Sequence, residues 1–260
     1  MSIGAAPRVI ASTTSHKRES LLPTLEIFAA LGLRDLELNL HHVLEEGVAP
    51  SAIADAVARL DLRLWVLSGG WCDFFHEPPD VDRTFASVAS QVELANRFGV
   101  RLIRLFFGRL SRQAYGPDTL ATITGNLRRL SDQHTGVTFV FENHDGASLV
   151  PEYCAEILDR VDRSNIRMNF DPINFAKAGV DPDRALAIVR PFVAHVHLKG
   201  LSNGEYCEYG DGDVDLGGVI RTLTTSGYEG FFNVEYEGRE DATLHLWQSV
   251  RLARRQIQDL

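Results

Sequence analysis

The sequence predicts an α/β fold, a (β/α)8 barrel formed as a single domain over residues 1–260, on three observations. Eight short strand-like runs recur along the chain, a helical pattern follows each, and the 260 residues come close to the roughly 250 that one such barrel needs. The strand runs lie at 8–12, 35–40, 62–67, 101–107, 137–142, 166–171, 193–198 and 231–235. Several are continuous apolar stretches of the kind a parallel sheet buries on both faces. Helical patterns fall at about 20–31, 50–60, 81–98, 117–134, 151–161, 181–190, 215–226 and 240–258, several opening on Ser, Asp or Pro. Gly32, Gly99, Gly136 and Gly227 are expected helix stops, because glycine accepts the left-handed conformation at a C-terminus. Strict alternation without a run of consecutive strands favours a closed barrel over an open doubly wound sheet. No Gly-x-Gly-x-x-Gly turn follows an early strand, which argues against a dinucleotide-binding sheet.

With 45% hydrophobic and 23% charged residues the chain can bury a sizeable core. A formal charge of -9 argues against nucleic-acid binding, which depends on Lys and Arg neutralising phosphates. The amino-terminal Met-Ser-Ile-Gly-Ala-Ala-Pro-Arg carries no basic segment with an apolar core behind it. No stretch is apolar for long enough to span a membrane. A cytoplasmic protein with no membrane partner is expected, compatible with a homo-oligomer. Cys72, Cys154 and Cys207 are widely spaced and odd in number, as expected of reduced, structural thiols.

Four of the predicted strands end on a residue able to hold a cation: Glu142, Asp171, His197 and Glu235. Strand ends of a barrel meet at one rim, where such folds keep their chemistry. Three carboxylates and one imidazole make an oxygen-rich set suited to one divalent metal ion, Mn, Mg, Co or Zn, and exclude a thiolate site. A solvated loop or a helix cap accounts for any one of the four, but not for four at successive strands.

The motifs Glu-Asn-His at 142–144, Asn-Phe-Asp-Pro-Ile-Asn at 169–174, His-Val-His-Leu-Lys-Gly at 195–200, Gly-Asp-Gly-Asp-Val-Asp at 210–215 and Asn-Val-Glu-Tyr-Glu at 233–237 together resemble the xylose-isomerase-like superfamily of TIM barrels. That grouping holds sugar isomerases, ketose 3-epimerases, inosose-processing enzymes and endonuclease IV. The resemblance covers about 138–238, and the first half fits by its β/α rhythm alone. It implies a metal at Glu142, Asp171, His197 and Glu235, with Glu142 and Glu235 as acid and base. Asn174 stands where several relatives carry His, which weakens both a 3-epimerase and a three-metal nuclease assignment.

Around this set, His195 lies two residues before His197 and is expected one layer deeper, beyond direct reach of the metal. Asn169 and Asn233 share that layer and are expected to orient ligands. His144, Asn174 and Lys199 are candidate substrate contacts, and Trp71, Phe74 and Phe75 a candidate apolar wall. Asp211 to Asp215 reads as a turn plus a helix cap, since a calcium loop would need Gly at position 216 and Glu at 222, where Leu216 and Thr222 stand.

A cation between two glutamates polarises a carbonyl and stabilises the enediolate formed when the neighbouring carbon loses its proton. The expected function is therefore metal-dependent isomerisation or epimerisation of a sugar or keto-polyol. The alternative is a lyase dehydrating a keto-inositol or dehydroshikimate-like substrate, and a hydrolase is a more distant one. Residues 199–215 carry Glu205, Glu208, Asp211, Asp213 and Asp215 against the single base Lys199, which favours an unphosphorylated substrate.

Overall fold

The computed structural model describes residues 8–44 and 47–260. The amino-terminal segment read above for a leader lies, up to Pro7, outside the described residues. Among the described residues ten strands form: β1 (Arg8–Ser12), β2 (Asp35–Asn39), β3 (Arg63–Trp71), β4 (Leu102–Phe106), β5 (Thr138–Glu142), β6 (Ile166–Phe170), β7 (Val193–Leu198), β8 (Gly200–Ser202), β9 (Glu205–Cys207) and β10 (Phe231–Val234). Eight of them close into a parallel barrel in the order β1-β10-β7-β6-β5-β4-β3-β2, with helices alternating along the chain. Strands β8 and β9 pair apart from it as an antiparallel hairpin.

By its internal contacts the chain divides into two compact units, one running up to Val66 and resuming at Ala194–Leu260, the other Leu67–Val193. In the first, β1 pairs with β10 and β2, and β10 pairs with β7, so that Asn233 lies level with His197 and Ser12 with Glu37. Its apolar residues, among them Ile10, Leu25, Phe28, Leu36, Leu38, Val196, Leu198, Phe232 and Leu246, are buried. In the second, β5 pairs with β4 and β6, which sets Phe106, Glu142 and Asn169 level with one another. Among the described residues, no helix is long and apolar enough to cross a membrane.

All eight expected strands and eight expected helices form, with ends shifted by a few residues at most. Pro opens the helices Pro50–Arg59, Pro117–Gln133, Pro151–Val161 and Pro182–Val189, where its missing N–H costs nothing. Asp215 caps Leu216–Thr225 by accepting from the Gly218 N–H at 2.8 Å, as the turn-plus-cap reading expects. Gly32, Gly99 and Gly227 take positive φ at helix ends. Gly136 does not: the helix before it stops at Gln133, and Gly136 adopts no left-handed conformation.

Several features go beyond the expected elements. β3 runs on through Ser68, Gly69 and Gly70 to Trp71. A Cβ at Gly69 would meet the Gln91 side chain and the Arg104 carbonyl, so the glycine marks a close approach within the sheet instead of a turn. The β8–β9 hairpin turns on Asn203 and Gly204, both at positive φ, and Asn-Gly is the strongest short-range hairpin signal a sequence offers. Short helices also form at His41–Leu44 and Pro172–Lys177.

Gly146 fixes the loop that carries the residues following β5. Its φ is +53°, a Cβ there would overlap the Leu110 carbonyl oxygen, and the next residue, Ala147, donates its N–H to that same oxygen at 2.7 Å. Gly146→Ala is expected to cost about 2 kcal/mol or more, through strain and overlap together. Gly136→Ala, with nothing nearer than the Arg101 guanidinium at 3.6 Å, is expected to lie within about 0.5 kcal/mol of the parent. Urea denaturation followed by circular dichroism measures both, and equal costs would refute the assignment.

Candidate functional site

In the unit spanning Leu67–Val193, Glu142 closes β5 and is 3% exposed. Its Oε1 accepts from the Asn174 side-chain amide at 2.9 Å, and its Oε2 lies 3.3 Å from Arg104 Nε. The second contact is an ion pair without hydrogen-bond alignment. Arg104, itself buried, also donates to the Gly69 carbonyl at 3.1 Å and to the Ser68 hydroxyl, and its guanidinium lies 4.2 Å over the Phe106 ring. The guanidinium and the amide together replace part of the hydration that the buried carboxylate has lost.

Asp171 follows β6 and caps the helix Pro172–Lys177, its Oδ1 accepting from the Ile173 and Asn174 N–H groups at 2.9 and 3.0 Å. Asn143 ties the two carboxylates' strands together. Its amide donates to the Asp171 carbonyl at 2.8 Å and its side-chain oxygen accepts from the Asp171 N–H at 2.9 Å. This continues the β5–β6 pairing through a side chain. Asn174, expected to meet substrate, gives its side-chain amide to Glu142.

His144 is exposed and meets Trp71 and Phe106 edge-on, at ring-centroid distances of 5.3 and 4.6 Å. Trp71 stacks on Phe106 at 4.4 Å. The apolar wall thus consists of Trp71, Phe106 and His144. Phe74, also expected there, is buried against Phe85 and Phe141, and Phe75 packs on His76.

In the other unit, Glu37 in the middle of β2 is wholly buried. Its Oε2 faces His195 Nε2 at 2.8 Å and His197 Nε2 at 3.4 Å, while Oε1 accepts from the Ser12 hydroxyl at 3.4 Å. Burial alone would raise the Glu37 carboxyl, but the facing His197 and His195 hold it well below the usual range. His197 Nδ1 lies 3.6 Å from Glu235 Oε2, and Lys199 Nζ lies 3.9 Å from that oxygen and 2.8 Å from Glu237 Oε1. Burial pushes the Glu235 carboxyl up to about 7 against the pull of His197 and Lys199. Its Oε1 is buried with no hydrogen-bond partner. Glu237, although half-buried, is held down to about 2 by Lys199 and Lys17.

His195 thus contacts Glu37 from within the barrel wall. Asn169 and Asn233, expected to orient ligands, are buried with both amide atoms lacking a hydrogen-bond partner. Glu37, Arg104 and Asn143 were not singled out in the sequence. The available signal for the first two was a charged residue inside an apolar strand, Leu36-Glu37-Leu38 and Ile103-Arg104-Leu105.

Residues 25–257 match the model of the xylose isomerase-like TIM barrel family. The chain belongs to that family. Its relatives are enzymes. The 3-dehydroshikimate dehydratase of Bacillus anthracis is 25% identical over 132 residues, 49% of this chain and 46% of that protein, so the match spans about half of the relative's length. Inosose dehydratase of Clostridium perfringens is 23% identical over 216 residues, 68% of this chain and 71% of that protein. Among solved structures of the family's fold, the IOLI protein with a bound zinc atom superposes with a TM-score of 0.78 at 18% identity, covering 97% of each chain. Sugar epimerases are also among the matched structures.

Removing Arg104 would take the ion-pair partner from a buried carboxylate. Arg104→Leu is expected to cost about 3–5 kcal/mol, the usual penalty for breaking a buried ion pair from one side. Chemical denaturation checks this, and a loss below about 1 kcal/mol would show that the pair carries little.

Proposed function

We propose that the chain is a divalent-metal-dependent enzyme that removes the proton beside the carbonyl of an unphosphorylated keto-polyol or related hydroxy-carbonyl compound and expels a β-hydroxyl as water. The observation that carries this reading is a pair of buried glutamates in opposite surroundings. Glu142 has Arg104 and Asn174 as charge-stabilising partners, whereas Glu235 has a buried oxygen without a donor and a carboxyl raised to about 7 by burial. Two carboxylates held so differently are suited to divide the work of base and acid.

The metal would be held by Glu142, Asp171, His197 and Glu235, each within one residue of the C-terminal end of β5, β6, β7 or β10, the end at which a barrel keeps its chemistry. The residues present fit such a group. The undonated Glu235 Oε1 calls for a positive partner, and the donors are three carboxylates and an imidazole, without thiolate. When bound, a divalent ion supplies Lewis-acid polarisation of the carbonyl. In this reading Glu142 takes the carbon-bound proton, and Glu235 delivers one to the departing hydroxyl. Asn174 keeps Glu142 in place through the 2.9 Å hydrogen bond. Lys199, held by Glu237 below the ring of Tyr206, and His144 at the aromatic wall contact the substrate's hydroxyls.

Dehydration is favoured over isomerisation because the two relatives described above are named as dehydratases. Isomerisation or epimerisation is the second reading: it follows from the same proton removal when the proton is returned to carbon. Acidic residues Glu205, Glu208 and Asp211 around the β8–β9 hairpin, together with the engagement of Lys199 by Glu237, support an unphosphorylated substrate.

Incubating the metal-loaded chain with a panel of keto-inositols, dehydroshikimate-like acids and ketoses in deuterated water separates the readings. Dehydration lowers the substrate mass by one water, and isomerisation keeps it while introducing deuterium. Glu142→Gln and Glu235→Gln are each expected to lower turnover by at least about 10²-fold, the usual scale of acid–base catalysis, even where metal occupancy is retained. Solvent exchange persisting in both metal-loaded variants would remove the glutamates from proton transfer.

A further inference from the structure

A histidine that binds a cation must offer one ring nitrogen with a lone pair, and the two nitrogens of His197 face different groups. Nε2 lies 3.4 Å from Glu37 Oε2, and Nδ1 lies 3.6 Å from Glu235 Oε2. Glu37 is wholly buried and is itself fixed from two further sides, by His195 Nε2 at 2.8 Å and by the Ser12 hydroxyl at 3.4 Å. An ionised carboxylate only accepts, so an imidazole nitrogen bonded to it carries the hydrogen. A neutral imidazole with its hydrogen on Nε2 keeps its lone pair on Nδ1, the nitrogen on the Glu235 side.

We propose that Glu37 is a positioning residue that locks His197 in the Nε2–H form and thereby presents Nδ1 to the divalent ion. This rests on the metal site of the proposed function and adds the residue that orients its only imidazole. His195 is assigned to the same device from behind. It donates to Glu37 and holds that carboxylate in line with His197, which accounts for a second buried histidine two residues away on β7. The accepting carboxylate also makes the imidazole a stronger donor to a cation, an effect that outer partners of metal-binding histidines generally exert.

Glu37, His195 and His197 also place three ligand atoms within 4.8 Å of one another. An ion held there would need Nε2 without its hydrogen, the reverse of the arrangement proposed. The two possibilities make opposite demands on one observable.

The test uses the full chain labelled with 15N-histidine and loaded with zinc alone. Nuclear magnetic resonance is expected to show His197 with a protonated Nε2 and a metal-bound Nδ1. Zinc affinity, measured by competition with a chromophoric chelator, is expected to fall roughly 10-fold in Glu37→Gln, which keeps an accepting oxygen without the charge. It should fall roughly 100-fold in Glu37→Ala, which keeps neither. Circular dichroism and thermal denaturation establish that each variant is folded. Should Glu37→Ala fail to fold, the Glu37→Gln affinity and the native spectrum decide the matter. Zinc on Nε2 of His197, or full affinity in the folded variants, overturns the role of Glu37 and leaves the metal reading standing. A native chain that takes up no zinc overturns both.

Discussion

Burying a carboxylate in a protein interior costs several kcal/mol unless a partner replaces the water it loses. Among the described residues this chain buries Glu37, Glu142, Asp171 and Glu235 almost completely, and much of the local architecture is the compensation. Glu142 has a guanidinium and an amide. Asp171 has two backbone N–H groups at the start of a helix. Glu37 has two imidazoles and a hydroxyl. Glu235 has a buried oxygen that no hydrogen-bond donor reaches, and burial raises its carboxyl to about 7. The metal reading rests on that oxygen: a cation is the partner that would complete the set.

In the proposed reading the same residues serve structure and chemistry at once. Asp171 is a helix cap, the ordinary role of an aspartate at a strand end, and the cap occupies one of its two oxygens. Capping and metal binding are therefore not alternatives at this position. Asn174 is similar, since its backbone N–H completes that cap while its side chain holds Glu142. The family supplies the fold. Which reaction follows depends on the substrate those side chains receive.

Much of the fold was legible because its signals are local. Strands such as Val193–Leu198 are short runs that need no distant partner to be recognised, and Pro and Asp at helix starts mark the boundaries. Gly136 misled because a glycine near a helix end need not be its cap, and Asn203-Gly204 was a hairpin signal overlooked inside an acidic stretch. Candidate ligands were visible as strand-end residues. Their supporting partners were not, because Glu37 and His195 stand 158 residues apart and Glu142 and Asn174 stand 32 apart. A charged residue within an apolar strand announces that some partner exists without naming it, and Arg104 and Glu37 were both of this kind.

The most direct test of the account is anomalous diffraction from crystals of the full chain grown with manganese or zinc. The account predicts one strong peak bonded to Glu142, Asp171, Glu235 and Nδ1 of His197, at the roughly 2.0–2.2 Å expected for zinc with oxygen and nitrogen ligands. A peak centred on Glu37 and His195, or no peak near these carboxylates at saturating metal, would contradict it.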